Sequence, residues 1–543
     1  MNRRAQCLDC PSMRRPTVRT ALIAAAVAVA AGAGAYGSQG SEPVRTAIAL
    51  APITEPRVGA APGVPARPPV VMLVLDEFPA GHLLGPDGRV DPGRFPGFAE
   101  LAATGTWFPN AHTVYDATVR AVPAILDAQL PEPGTAPTFE DHPRSVYDLF
   151  ARQGYEIVGS EEASSVCPPR HCRGARAEAP PVLSLLRAGR PARLHRFFRT
   201  IRPRRGRPTF YLKHVLLPHG PHVYLPSGKR SRRRSGEQLP GLETLPGFGD
   251  RSATHYNVQR QLLQIGYVDR ELQRLVRRMK RLGMFDRSLI VVTADHGFSS
   301  EVSVPSRRKT TRANIDEVAP VPLFLKAPRQ RRGRVNPAYA RTVDVVPTMA
   351  DILGFAMPYR ADGRSAFSRA VRRRRVVEVI ARDFSGTVSI GARALERRRR
   401  VLLRRRLRLF GSGDWASLHT GTGPNRQLLG RSLADLSSAH AGRSRAAGTV
   451  FDANDLRRVR PRSAVVPTQV TGEVEGKSQR NRDIAVSVNG KVEAVSRTFR
   501  LFGSTRELFA VNVPERSLRP GRNDVLVFEV LRGGRTLRLL AGA

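Results

Sequence analysis

Acidic residues are scarce in this chain. Asp and Glu number 46 against 88 Lys and Arg in 543 residues, a formal net charge of +42. Such a surplus favours anionic surroundings, whether nucleic acid, acidic lipid or phosphorylated envelope polymer. Yet the marks of a dedicated nucleic-acid binder are missing. There is no zinc finger, no interleaved aromatic and basic signature and no basic coiled-coil entry, so nucleic acid is not among the expected partners. Arg recurs along nearly the whole chain, so part of the surplus reads as compositional bias. No fixed-period repeat is present, and cysteine is rare, with four. What is plentiful is core material. Hydrophobic residues make up 41% of the chain, and its length suggests about two to four domains.

The amino terminus reads as an export signal. Arg3, Arg4, Arg14, Arg15 and Arg19 precede an alanine-rich apolar run that starts at Ala21 and ends near Tyr36. The run is short against the ~20 residues a spanning helix needs. It fits a cleaved signal peptide, with small residues near Ala33 and Ala35, or an uncleaved anchor with its basic end inside. The long basic leader favours the anchor, although a basic leader on a cytosolic protein is the plain alternative. The expected location is the cell membrane, single-pass, with an extracytoplasmic catalytic domain; secretion after signal cleavage is the alternative. Cys7 and Cys10 lie in the leader. Cys167 and Cys172 flank Pro-Pro-Arg-His, and their spacing and export favour a local disulfide over a metal knuckle.

The segmentation expected is a basic cytoplasmic leader (1–19), an anchor or signal (20–37), a Pro/Ala/Gly linker (38–68) and a catalytic domain (69–360). A basic helical or irregular connector (361–460) and an antiparallel β module (461–543) follow. Within the catalytic region strand and helix signals alternate. Strands are expected at 70–75, 155–159, 209–217, 289–293 and 321–326. Helices are expected at 94–105, 118–128, 145–152, 253–282 and 342–353, with Gly354 as a stop. This alternation implies an α/β fold: a mostly parallel sheet with helices on both faces, plus an N-terminal hydrophobic helix and the small C-terminal β module. Beyond 360, the Arg372–Arg375 and Arg397–Arg406 runs read first as solvated basic surface. Further on, 484–488, the turn Asn489-Gly490 and 492–495 read as a hairpin, continued at 509–513 and 523–530 around Pro520-Gly521.

The chemistry concentrates at strand ends, where sites of open α/β sheets assemble. Asp76 and Glu77 close the run Val70–Leu75, and Asp295-His296-Gly297 follows Leu289–Thr293. A carboxylate at the end of a buried strand is expensive without a partner. Carboxylates, an imidazole and a hydroxyl suit a hard or borderline divalent metal. Asp76, Glu77, Thr118, Asp295 and His296 are therefore the expected ligands of one divalent ion, with Mn, Mg, Ca and Zn all open. Thr118 opens a helix and reads either as an N-cap or as a nucleophile. Arg120 reads as an anion contact or a solvent-facing residue. His214, His219 and His222 are three histidines within nine residues, against 12 in the chain. They read as an acid or phosphoryl-binding set, or as incidental.

Taken in order, these motifs resemble the alkaline phosphatase and sulfatase superfamily. Phe108-Pro-Asn-Ala-His112 with Thr118, Pro218-His-Gly-Pro221, Thr293-Ala-Asp-His-Gly297, Val321-Pro-Leu-Phe-Leu-Lys-Ala-Pro328 and Val343-Asp-Val-Val-Pro-Thr348 carry the resemblance. It runs from Val70 to about Gly354. It implies an alkaline-phosphatase-like fold and metal-dependent ester chemistry, with Thr118 and His219 catalytic. Arg120, His214, His222, Lys309 and Asn314 are implied on the substrate side. Sulfatases carry Cys or Ser, oxidised to formylglycine, where this chain has Thr118. That position instead resembles the phosphodiesterase and phosphoglycerol transferase branches. The expected function is a membrane-associated hydrolase or transferase of envelope phosphate esters or diesters. Sulfuric ester hydrolysis is the first alternative and an inactive envelope-binding protein the second. The partners implied are an anionic phosphate- or sulfate-bearing envelope substrate and, through the N-terminal segment, the membrane.

Overall fold

The computed structural model describes residues 67–543 apart from 173–184, 187–188, 205, 233–238, 240–241, 243–248, 303–305, 461 and 476–479. The basic leader, the hydrophobic segment, nearly all of the linker, Cys7 and Cys10 lie outside the described residues. Among the described residues no helix is long and apolar enough to cross a membrane.

Seven strands form the central sheet: β1 (Val70–Asp76), β2 (Thr106–Trp107), β3 (Glu156–Ser160), β4 (Thr209–Pro218), β5 (Leu289–Ala294), β6 (Leu323–Lys326) and β7 (Arg334–Val335). Their order is β3-β4-β1-β5-β6-β2-β7. The β3-β4-β1-β5 stretch is parallel, while β6 runs antiparallel to β5 and to β2. Every residue of β1 is buried, as an unbroken apolar run must be when both faces of a parallel sheet are covered. On one side Leu73, Leu75 and Val292 meet Phe98, Phe198 and Leu272 from three helices.

Helices Pro96–Thr104, Thr118–Asp127, Val146–Arg152, Arg251–Arg281 and Val345–Leu353 lie where periodicity and stop residues put them. Gly354 ends the last of these in a left-handed conformation, φ 70°, as a glycine C-cap does. Gly105 stops its helix differently. It is extended, and a Cβ there would lie 2.9 Å from the Leu101 carbonyl oxygen and 3.0 Å from that of Leu325. The helix Arg190–Thr200 was not expected, and Ala392–Phe410 lies within the connector expected to be helical or irregular; arginines interrupt the apolar stripes that would have given the bounds of either.

The C-terminal β module is larger than its sequence suggested. It reaches back to His440 and holds a five-stranded and a three-stranded sheet. Strands β8 (Val376–Ile380) and β9 (Thr387–Gly391) form a separate hairpin in the connector. In the module, β10 (His440–Arg443) pairs in parallel with the last strand, β17 (Thr536–Gly542). Strands β11 (Gly448–Val450) and β12 (Gln469–Val474), then β13 (Asp483–Val488) and β14 (Lys491–Arg497), and later β15 (Glu507–Asn512) and β16 (Val525–Leu531), make up the rest. Asn489 and Gly490 both have positive φ, 51° and 82°, as a two-residue hairpin turn between β13 and β14 demands. The Cys167–Cys172 disulfide is formed, and it packs against Gly159 of β3.

Backbone bonds tie the tips of β1 and β5 together. Asp295 N donates to Leu75 O at 3.0 Å, Phe78 N to His296 O at 2.7 Å and Gly297 N to Val318 O at 2.8 Å. A Cβ on Gly297 would sit 2.5 Å from Glu317 O and 3.0 Å from Val318 O. Gly297→Ala should therefore push the His296 backbone off its partners and remove about 1–3 kcal/mol of stability. Chemical denaturation measures this, and an unchanged midpoint would mean the tip is not closely packed.

Candidate functional site

Register builds the site. Leu75 pairs with Ala294 across the β1–β5 ladder, so Asp76 and Asp295 follow at neighbouring tips. Ligand atoms of Asp76, Asp295 and His296 all lie within 4.8 Å of one another, and all three residues are buried. The helix Thr118–Asp127 delivers the fourth group. Its N-cap is Ala117, not Thr118, and no side chain caps it. The Thr118 hydroxyl is thus not spent on its own helix. It donates to Asp76 Oδ1 at 3.3 Å and lies 3.4 Å from His296 Nε2. His296 Nδ1 meets Gly297 O at 2.8 Å, which turns Nε2 toward the cluster in the manner of a metal-ligand histidine.

The electrostatics of this cluster are unbalanced. Asp76 Oδ2 and Asp295 Oδ2 are buried and have no hydrogen-bond partner among the described residues. Burial, then the charges of Asp295 and Glu77, push the Asp76 carboxyl well above its ordinary range. Orphaned, mutually repelling carboxylate oxygens beside an imidazole fit a divalent cation.

Glu77 stands apart from the three. Its backbone is left-handed, φ 58°, a conformation uncommon for a side-chain-bearing residue. The turn sends its carboxylate to Arg308, with Oε1 2.7 Å from Nε, and toward His219, with Oε2 3.6 Å from Nε2. Burial would raise the Glu77 pKa, but Arg308 and His219 overcome it and hold it well below the carboxylate range. Only its backbone N–H joins the metal cluster, donating to Asp295 Oδ1 at 3.0 Å.

The remaining expected residues divide. His219 Nδ1 meets Gly220 O at 2.7 Å, and Nε2 lies 3.5 Å from Arg308 Nη2. Burial holds its pKa low against the pull of Glu77, and Arg308 lowers it further. His214 is fully buried opposite Val74 of β1, with neither ring nitrogen partnered among the described residues. His222 meets Asn257 on the long helix, and its carbonyl accepts from Gln469 of the β module at 3.0 Å. Arg120 reaches Thr135 and lies over the Phe384 ring. Lys309 is half exposed, 3.9 Å from Asp383. Asn314 is buried and braces its own loop, accepting from Thr311 and donating to the Ser306 and Lys309 carbonyls.

Three residues that sequence reasoning passed over stand close to the site. Arg308 pairs with Glu77. Asp116, two residues before Thr118, accepts from Arg382 Nε at 2.9 Å and from the Thr310 backbone. Arg190 is fully buried and donates to the carbonyls of Leu216, His219 and Pro221. Among 88 basic residues, nothing in the sequence marks these arginines out.

Comparison with known proteins matches these features to a family. A family model described as Sulfatase matches residues 68–355. The chain is similar to the extracellular sulfatase SULF-1 homolog of Drosophila melanogaster, 28% identical over 124 residues that cover 23% of this chain and 11% of that protein. It is similar to lipoteichoic acid synthase 1 of Bacillus subtilis, 28% identical over 109 residues, 19% of this chain and 17% of that protein. Each match spans less than a fifth of the relative's own length. Among solved structures, the phosphonate monoester hydrolase of Silicibacter pomeroyi aligns with a TM-score of 0.40 and 18% identity, covering 63% of this chain and 96% of that one. The family match begins two residues before β1, takes in all four cluster residues and spans just over half the chain: the protein belongs to the sulfatase family, within the alkaline phosphatase and sulfatase superfamily.

Proposed function

We propose that this protein is an exported, membrane-tethered, metal-dependent enzyme that hydrolyses or transfers a phosphate ester or diester group of the cell envelope, with Thr118 as nucleophile. Members of the superfamily act as hydrolases or transferases on sulfate or phosphate esters. The single observation that supports the finer reading is the Thr118 hydroxyl beside Asp76 and His296, free of any capping duty. The basic leader and apolar run support the membrane tether.

Asp76, Asp295 and His296 would hold the divalent cation, which supplies positive charge that lowers the hydroxyl pKa of Thr118 and offsets charge developing on the ester oxygens. The chain's own groups do the rest. Thr118 Oγ1 forms a bond to phosphorus as the bond from phosphorus to the leaving alcohol oxygen breaks, its proton passing to Asp76 Oδ1, to which the hydroxyl already donates. Water or an acceptor alcohol then bonds to phosphorus, giving its proton to His219, as the bond to Thr118 Oγ1 breaks and Thr118 regains its own proton. Arg308, already turned inward by Glu77, presents its guanidinium to the anionic group. His219 rests neutral. An anionic phosphoryl group beside it raises its pKa, so Nε2 takes up a proton and passes it to the leaving oxygen.

Sulfate-ester hydrolysis is the second reading, favoured by the family name. Threonine argues against the formylglycine route, because oxidation of its secondary alcohol gives a ketone and not an aldehyde.

Thr118→Ala should lower turnover on the order of 10³-fold or more, as removal of a nucleophile does, and leave the unfolding midpoint unchanged. Thr118→Ser should keep part of the activity. Full activity in Thr118→Ala on an aryl phosphodiester, or a faster wild-type rate on the matched aryl sulfate, would refute the assignment. Elemental analysis should find a single divalent ion per chain in the wild type and none in Asp295→Ala. Chelation should lower the melting temperature, since bound metal at a hundredfold excess over its Kd adds about 2.7 kcal/mol. A chain that carries no stoichiometric metal supports the inactive alternative.

A further inference from the structure

The first turns of the helix Arg251–Arg281 face the β module. A cleft of about 820 Å³, its open mouth included, lies there between these turns, β14, β15 and segment 419–426. It shares no residue with the candidate metal centre. Arg251, His255, His419, Arg426 and Arg497 contribute to its lining, and among the described lining residues there is neither Asp nor Glu. Arg497 is paired with Asp483 at 2.7 Å. Arg251 and Arg426 are exposed, and neither has a carboxylate partner among the described residues. Their positive fields converge on His255, which burial and then Arg405, Arg251 and Arg426 push down to about 4. That imidazole stays neutral near pH 7, a donor and an acceptor without charge.

The floor of the cleft is polar in a different way. Ser252, Gln259, Thr422, Ser496 and Asn512 line it. Asn512 is 2% exposed. Its Nδ2 donates to Tyr256 O at 3.3 Å and Gln259 Oε1 at 3.0 Å, both acceptors, so the amide orientation is fixed. Its Oδ1 is then left as a buried acceptor with no partner among the described residues, and a buried acceptor without a donor is costly. A ligand for this cleft therefore brings oxyanions for the guanidinium groups and hydroxyl donors for the floor.

We propose that the seam between the long helix and the β module is a second binding site, for a carbohydrate chain that carries sulfate or phosphate esters. The same helix holds the loops of the candidate active site farther along. Gln261 donates to Glu77 O and Gln264 to His219 O. Thirteen residues separate Arg251 from Gln264, roughly 20 Å of helix. A short run of sugars spans that distance, so the seam would hold one part of a polymer while another lies at the tips of β1 and β5.

Calorimetric titration of the full chain with phosphorylated, sulfated and neutral dextran tests this by binding alone, apart from the catalytic reading. The wild type should bind an esterified dextran and not the neutral one, and the two esterified arms show which ester is preferred. The Arg251→Ala/Arg426→Ala variant should bind about tenfold more weakly or worse, given two lost charge-assisted contacts. A control, Arg397→Ala/Arg400→Ala, removes the same charge from exposed positions of the helix Ala392–Phe410 and should bind as the wild type does. Both pairs are exposed side chains, so unchanged melting temperatures verify folding. No binding of either esterified dextran, or equal weakening in the two variants, would overturn the proposal.

Discussion

The site rests on the repulsion between two buried carboxylates. Parallel pairing of β1 with β5 fixes Asp76 and Asp295 at adjacent tips, and each keeps one oxygen without a hydrogen-bond partner among the described residues. Water would screen such a pair, but burial leaves the repulsion strong. The neighbouring Arg308 relieves it only in part, because it is engaged with Glu77. Arg190 is committed in the same way, its guanidinium donating to three carbonyls beneath the His219 loop. The left-handed turn at Glu77 has a reason in this light. It removes a third carboxylate from a place that already holds one too many and hands it to a cation outside the cluster.

The arginine surplus looks different from inside the structure. Much of it is architecture. Arg406 donates to the His82 and Leu84 carbonyls in the loop that follows Glu77. Arg399 donates to Pro109 O and to Asn110 Oδ1, and Arg374 to Tyr339 O and Asp344. Five donors in a rigid fork let one side chain satisfy several loop carbonyls at once. The Arg397–Arg406 and Arg372–Arg375 runs are therefore mixed, part solvated surface and part brace. The braces converge on the loops at the carboxyl end of the sheet, where irregular backbone leaves many carbonyls needing donors.

These distinctions mark what was legible in the sequence. Alternating strand and helix signals, the acids at the ends of β1 and β5, and the Asn489-Gly490 hairpin were legible because each depends on periodicity or on a single residue's backbone preference. Strand partners beyond β5 were not, because β2 and β7 are two residues each and carry no pattern. The roles of the polar residues near the site were the least legible. Asn314 and Lys309 sit side by side in one loop, yet one is a buried brace and the other faces solvent. His214, His219 and His222 share a segment, but their surroundings are the sheet interior, the Arg308 side of the site and the long helix. Side-chain direction separates them, and it is set by a register shift in the β1–β4 ladder after Leu75 that no local sequence feature announces.

The same reasoning bears on why the β module is joined to the sheet as it is. Phe298, two residues past His296, does not end in the main core. It packs with Ala253 and Tyr256 of the long helix and with Phe499, Leu508 and Ala510 of the module. The tip of β5 is thus held from both sides, by the Gly297–Val318 backbone bond within the catalytic region and by an apolar cluster shared with the module. The long helix carries the same connection, bonded to Asn512 near its start and to the Glu77 and His219 carbonyls farther on. Strained and like-charged groups persist only where the surroundings over-determine them. Here the surroundings of the His296 tip include the module, so its packing on the helix and Phe298 belongs to what holds the repelling pair in place.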